Sequence, residues 1–283
     1  MNKINAIIMA GTSKKKRKLI DEDDGRGPKN KALVTVHKEP VILNVLQALK
    51  NSKYINSNNI VVIGPRPELR DIIKDSEALI LPEEKRFIDN ARKAYGKISP
   101  NGERTFITSC DLPYINAEAI EDFVMECEKY YADFYFSLIN AKNIPKKLER
   151  LNKSMKFYLE QEGYRTSNMS IFEGRKVKNR KKLEYEIEKV FSLRRTISIP
   201  AFKRLYGTFK HYKEEFKKHR NRNLTEQDVT TAIKREVGIE LKLIITKNPK
   251  SAIDIDYKRD YKYIKKNYWK IKEILDNFIP SQD

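Results

Sequence analysis

The stretch INAIIMAGTS, from Ile4 to Ser13, decides how the chain is read. Apart from Asn5, residues 4–9 are apolar and mostly β-branched, and Ala10, Gly11, Thr12 and Ser13 follow as a small-residue turn. An apolar run this short, closed by such a turn, reads as a buried strand, and a small turn after a parallel strand leaves backbone N–H groups open to phosphate oxygens. A glycine at a strand end is equally a plain tight turn, so the signal gains weight only from its context.

Working outward, further apolar runs recur at Ile60 to Ile63, Ala78 to Leu81, Thr105 to Thr108 and Asp133 to Leu138, with longer amphipathic segments between them. Val41, Leu43, Val45, Leu46 and Leu49 follow a helical period, and Asn116 is placed to cap a helix carrying Ile120, Phe123 and Val124. This alternation predicts βαβ units and a mainly parallel sheet covered by helices. After Asn140 the pattern changes to short extended pieces, Met155 to Leu159 and Ser167 to Phe172, and then to a lysine- and arginine-rich helical stretch from Asn179 to Arg222. Phe191, Leu193, Phe202, Leu205, Tyr206, Phe209, Tyr212 and Phe216 would pack there as a stripe, with the cations left in solvent. Thr225 to Asp228 is a helix-start signal, Gly238 a stop, Ile239 to Thr246 a further strand, and Tyr263 to Leu275 a final helix. The expected fold class is α/β, a three-layer Rossmann-like arrangement. Residues 1–178 and 223–283 form its core, interrupted by a basic helical insertion at 179–222.

With 283 residues the chain can bury a large core without a disulfide or metal staple. Cys110 and Cys127 lack paired spacing, which fits a reducing compartment and buried or bystander thiols. The apolar run after Met1 is too short for an export signal, and no stretch approaches the roughly 20 apolar residues of a membrane span. A cytoplasmic protein without membrane insertion is expected. A net charge of +19 attracts anions, whether nucleotide, nucleic acid or acidic lipid, and does not choose among them.

Three further segments carry the chemistry. Lys31, Ala32 and Leu33 are followed by Val34 to Val36 and then by Lys38, Glu39 and Pro40 at the start of a helix. Asp111, in Thr108, Ser109, Cys110, Asp111, Leu112 and Pro113, comes directly after an apolar strand. A carboxylate at the carboxyl end of a parallel strand projects into the crevice where such sheets bind ligands, and Mg²⁺ takes hard oxygen ligands; a turn-capping role explains Asp111 equally well. Asp254 and Asp256 flank Ile255 and would point the same way in an extended segment, while Asp260 suits the N-terminal charge of the last helix. Between the first two segments, Lys14 to Lys18 and Asp21 to Asp24 form a mixed-charge tract that reads as a loop closing over phosphates or as a solvated one. His37, His211 and His219 are scattered without metal-ligand spacing and read as surface residues.

Together these segments resemble the MobA-like NTP transferases, a family of the GT-A type of fold. In that family a glycine-rich turn is followed by a Lys-Ala-Leu motif, a Gly-Lys-Pro-like turn, an Asp-x-Pro signature and a late acidic run. Asp89, Asn90 and Ala91 resemble its Glu-Asn-Leu segment, Thr166, Ser167 and Asn168 resemble its Thr-Gly-Gly-Asn segment on the acceptor side, and Gly64 with Pro65 stand where the family often reads the base. Thr12 replaces the second glycine of the first turn, and Lys38 the glycine of the second.

The resemblance implies a nucleotidyltransferase that transfers NMP from an NTP to a phosphorylated small-molecule acceptor and releases pyrophosphate. Lys31 and Asp111 would be catalytic; Ala10, Gly11, Thr12, Ser13, Lys31, Pro65 and Asn90 would bind nucleotide, Asn168 the acceptor, and Asp111 and Asp256 a Mg²⁺ ion. A sugar phosphate, a polyol phosphate and molybdopterin all stay open as acceptors, and the insertion would cover the acceptor pocket or support a homodimer. Two other classes compete. The Asp-Ile-Asp run suggests a GT-A glycosyltransferase acting on a nucleotide-sugar, although Lys31 would then have no task. The basic stretch at 179–222 suggests nucleic-acid binding on a catalytically weak scaffold, which the motifs do not favour.

Overall fold

The computed structural model describes residues 3–11, 30–152, 157–174, 181 and 223–280. The strands are β1 (Ile4–Met9), β2 (Thr35–Val36), β3 (Glu39–Pro40), β4 (Ile55–Gly64), β5 (Leu79–Pro82), β6 (Arg104–Ser109), β7 (Phe134–Asn140), β8 (Phe157–Leu159), β9 (Glu162–Glu173) and β10 (Leu241–Thr246). The described α-helices are α1 (Val41–Asn51), α2 (Arg66–Ile73), α3 (Phe87–Ile98), α4 (Ala117–Glu128), α5 (Glu226–Val237) and α6 (Lys258–Asp276). The Lys14 to Asp24 tract, the 179–222 insertion apart from Lys181, and the two later histidines lie outside the described residues.

The main sheet runs β10-β7-β9-β6-β1-β4-β5, with β8 paired to β9. β1 pairs parallel with β4 and with β6, β4 with β5, and β7 with β10. The expected α/β class and mainly parallel sheet are therefore present. β9 is the exception: it runs antiparallel to β6, β7 and β8, and at 12 residues it is twice the length of the extended piece expected at Ser167 to Phe172.

Successive side chains of a strand point to opposite faces, so a strand covered on both sides must be apolar throughout. β1 shows this directly. Ala6 and Ile8 join the core beneath α1 and α4, with Val45, Leu49, Phe106 and Phe123, whereas Ile7 joins Val61, Ile63, Ala94, Tyr95 and Ile98 beneath α3. α1 exists because Val41, Ile42, Val45, Leu46, Ala48 and Leu49 form one buried face. α4 starts where Asn116 accepts a hydrogen bond from the Ala119 N–H at 3.1 Å. α5 carries the full Thr225–Asp228 capping box and ends at Gly238, whose φ of 77° is one that glycine adopts freely. A second core under α6 joins Val34, Val36 and Val41 to Tyr114, Ile253, Ile255, Ile264 and Ile271. It clamps the segment around β2 to α6, and this clamp positions the site.

Candidate functional site

Three segments far apart in sequence meet at the carboxyl ends of β1 and β6. The first is the turn after β1. Asn30 is buried and bonds both ways, its Nδ2 donating to the Ala10 carbonyl at 2.7 Å and its Oδ1 accepting from the Ala32 N–H at 2.8 Å. Lys31, Ala32 and Leu33 are thereby wound into a single 3₁₀ turn against the end of β1. Asn30 was not singled out in the sequence, although an Asn two residues before its bonded N–H is the signature of an Asx turn.

The second segment leaves β6 at Ser109 and reaches Asp111 two residues later. The third is held to it by the backbone, because the Ile255 N–H donates to the Asp111 carbonyl at 3.1 Å. Ile253 and Ile255 are fully buried in the core under α6, so Asp254 and Asp256 face the other way, as alternation in an extended segment requires.

Lys31 closes the cluster. Its Nζ donates to Asp111 Oδ2 at 2.6 Å and to Asp256 Oδ1 at 2.9 Å, with only 12% of its side chain exposed. Burial pulls the Lys31 pKa down, but the carboxylates of Asp111, Asp256 and Asp254 outweigh that and hold the ammonium above the usual lysine range. Asp111, Asp254 and Asp256 each offer a carboxylate oxygen within 4.8 Å of the others. A donor set of hard oxygens that close together suits a divalent cation such as Mg²⁺. Asp254 thus joins the two carboxylates expected from sequence. Asp260 accepts from the Tyr257 N–H and caps α6, as expected.

On the β1 side, Gly11 is hemmed in: a Cβ built on it would lie 3.0 Å from Asn90 Nδ2 and 3.3 Å from Glu83 Oε2. Asn90, in the first turn of α3, accepts from the Glu84 N–H at 2.5 Å and so ties the end of β5 to the helix. Ala10, Gly11 and Asn90 therefore share one wall. Gly64 presses on β1, its absent Cβ leaving room for the Ala10 carbonyl, and Pro65 then caps the start of α2. Thr12 and Ser13 lie outside the described residues.

The expected Gly-Lys-Pro-like turn is present without its glycine. His37 and Lys38 take φ of 51° and 71° to close the β2–β3 hairpin, and His37 is exposed and stacked on Tyr268 of α6 at 5.2 Å between centroids. Both cysteines are buried and free.

Asn168 lies on β9 with φ of 56°, where β7 advances from Phe136 to Leu138 while β9 advances from Ser170 to Thr166. It is thus at the centre of a bulge, its carbonyl accepting from Thr108 Oγ1 at 3.1 Å. The same strand carries Arg165, which sequence reading passed over because it is one cation among 58 lysines and arginines.

The sheet order and the carboxylates gathered at its strand ends define a Rossmann-like α/β protein with an acidic site at the carboxyl edge of its sheet. Residues 6–145 match the profile of the MobA-like NTP transferase domain. No curated protein matches the chain. Among solved structures, a hypothetical transferase from Thermus thermophilus superimposes with a TM-score of 0.72 at 22% identity, over 92% of this chain and 99% of that one. The 4-diphosphocytidyl-2C-methyl-D-erythritol synthase from Anaerococcus prevotii gives 0.52 at 13% identity, over 95% and 99%. CMP:2-keto-3-deoxy-manno-octonic acid synthetase, solved with CTP, gives 0.57 at 10% identity, over 95% and 100%. At these identities the likeness is one of fold. Among the described residues, no helix is long and apolar enough to cross a membrane.

Proposed function

We propose that the protein is a Mg²⁺-dependent nucleotidyltransferase of the cytoplasm that transfers NMP from an NTP to a phosphorylated small-molecule acceptor. The observation that carries this reading is the meeting of Lys31 with Asp111 and Asp256 at 2.6 and 2.9 Å, from three separate segments. A phosphate oxygen of the acceptor attacks the α-phosphorus, the bond from that phosphorus to the bridging oxygen of the β-phosphate breaks, and pyrophosphate leaves with the electron pair. No side-chain nucleophile is required; catalysis rests on placement and on charge stabilisation.

Each residue has a task in that reaction. The N–H groups of the turn at Ala10, Gly11, Thr12 and Ser13 receive phosphate oxygens, and Asn90 and Pro65 frame the nucleotide. Lys31, kept charged by its neighbours, offsets the negative charge that grows toward the leaving pyrophosphate. Asp111 and Asp256, with Asp254 beside them, would hold Mg²⁺, which when bound supplies Lewis-acid stabilisation of phosphate oxygens. Asn168 and β9 form the acceptor side.

The test is thermal denaturation with CTP, GTP, ATP and UTP, each with and without Mg²⁺. A ligand that binds only the folded state raises the midpoint. The expected result is a metal-dependent rise favouring one base, abolished by Asp111→Asn; no rise with any nucleotide would refute the reading.

A further inference from the structure

Arg165 is a buried cation with two of its nitrogens unpartnered among the described residues. It is 5% exposed, yet its Nε and Nη1 meet no hydrogen-bond partner among the described residues. A buried guanidinium is costly unless its donors are satisfied. The carboxylates of Glu149 and Asp254 act on it only at longer range, and burial dominates, pushing its pKa down to about 10. It remains charged at neutral pH.

Its place in the fold is informative. Arg165 pairs with Ile139 near the end of β7, and Ile139 in turn pairs with Thr246, the last residue of β10. These are the carboxyl ends of parallel strands, the same edge of the sheet from which Asp111 and Asp254 project. Two residues along the same face of β9, Ser167 is fully buried, and its Oγ also lacks a partner among the described residues. Arg165 and Ser167 thus present unsatisfied donors two residues apart on β9, and the Asp254 carboxylate of the cluster acts on Arg165 electrostatically.

We infer that Arg165 is the acceptor-anchoring residue: its guanidinium receives a phosphate group of the acceptor in a forked pair of hydrogen bonds, with Ser167 Oγ as a third donor. The inference rests on the nucleotidyltransferase reading for the word acceptor, but not for the phosphate site itself. A guanidinium fork matches two oxygens of one phosphate, and a lysine in its place offers a single point of contact. The placement also separates duties. Lys31 lies on the side of the departing pyrophosphate, whereas Arg165 lies on the strand that reaches the cluster from the opposite side.

The experiment is titration with inorganic phosphate, and in parallel with acetate. It is read by calorimetry on the wild type, Arg165→Met, Arg165→Lys and Ser167→Ala, each alone and with saturating Mg²⁺ and the best-binding NTP. The expected result is phosphate binding additive with nucleotide, weakened at least tenfold by Arg165→Met and three- to tenfold by Arg165→Lys, with nucleotide affinity unchanged within twofold. Should Arg165→Met fail to fold, the lysine and Ser167→Ala variants read the same site. Unchanged phosphate affinity in the arginine variants would overturn the assignment, as would an equal loss of nucleotide binding. Acetate binding in preference to phosphate would overturn the phosphate assignment. If no NTP binds while phosphate still distinguishes the variants, the nucleotidyltransferase reading falls and the Arg165 site stands.

Discussion

Lys31, largely buried, and Arg165, only 5% exposed, are both cations near the carboxyl edge of the sheet, and their surroundings differ sharply. Lys31 has carboxylates at 2.6 and 2.9 Å, whereas Arg165 has two nitrogens without a partner among the described residues. The proposed nucleotide side around Lys31 is tied together by Asn30, Asn90 and the backbone bond from Ile255 to Asp111. The side on β9 instead carries a bulge, a left-handed Asn168 and open donors. A paired charge holds its own segments in place before any ligand arrives. An unpaired one leaves binding free energy for the ligand to realise, at the expense of folding stability.

The largest effect should follow Lys31→Ala. It removes the ammonium that Asp111 and Asp256 share, and breaking a buried pair costs about 3–5 kcal/mol. Urea unfolding in EDTA should show that loss, and Mg²⁺ should return about 2.7 kcal/mol at a hundredfold excess over its dissociation constant. A variant that Mg²⁺ stabilises no more than the wild type would break the view of Lys31 as the partner of a metal-binding cluster.

Gly64→Ala tests the rigidity of the nucleotide side. Its new Cβ would sit 2.8 Å from the Ala10 carbonyl oxygen and 2.9 Å from Leu69 Cδ1. Backbone cannot yield there without parting β4 from β1, so about 1–3 kcal/mol should be lost, together with NTP affinity. Full NTP affinity in thermal titration would show that the turn at Gly11 tolerates displacement.

Arg165→Met should act with the opposite sign to Lys31→Ala. Replacing a buried, unsatisfied charge with an apolar chain of similar length should raise stability by about 1–2 kcal/mol in urea unfolding. Destabilisation instead would mean that Arg165 holds the strand ends together, and the contrast between the two cations would collapse.

What could be read from the sequence follows the same division. The β1 strand, the Asn116 cap, the Thr225 box and the paired orientation of Asp254 and Asp256 are local features, each set by a few neighbouring residues. Lys31 was legible through its Ala-Leu context, which the family resemblance made specific. The direction of β9 was not, because an antiparallel strand between β6 and β7 is fixed by pairing with residues far away in sequence, more than 60 positions on the β6 side. Arg165 was hidden for a related reason. Its meaning lies in burial and in the absence of a partner, and neither leaves a mark on the residues beside it.

The smallest effect should come from the β9 bulge, which the proposal places on the acceptor side. Asn168 holds φ at 56°, a conformation that asparagine adopts more readily than other side-chain-bearing residues. Alanine there should cost about 1 kcal/mol, the penalty of a left-handed backbone with a Cβ, while glycine should stay within about 0.5 kcal/mol of the wild type. The bulge is pinned on both flanks, by Thr108 Oγ1 donating to the Asn168 carbonyl and by Ser137 Oγ accepting from the Met169 N–H at 3.0 Å. Strain introduced at Asn168 should therefore pass to Ser167 and Arg165 rather than dissipate in a loop. Asn168→Ala should weaken phosphate binding two- to threefold and leave NTP binding alone, whereas Asn168→Gly should change neither. Equal stability of the two variants would show that the bulge is not held in its left-handed form, and would detach Asn168 from the acceptor side.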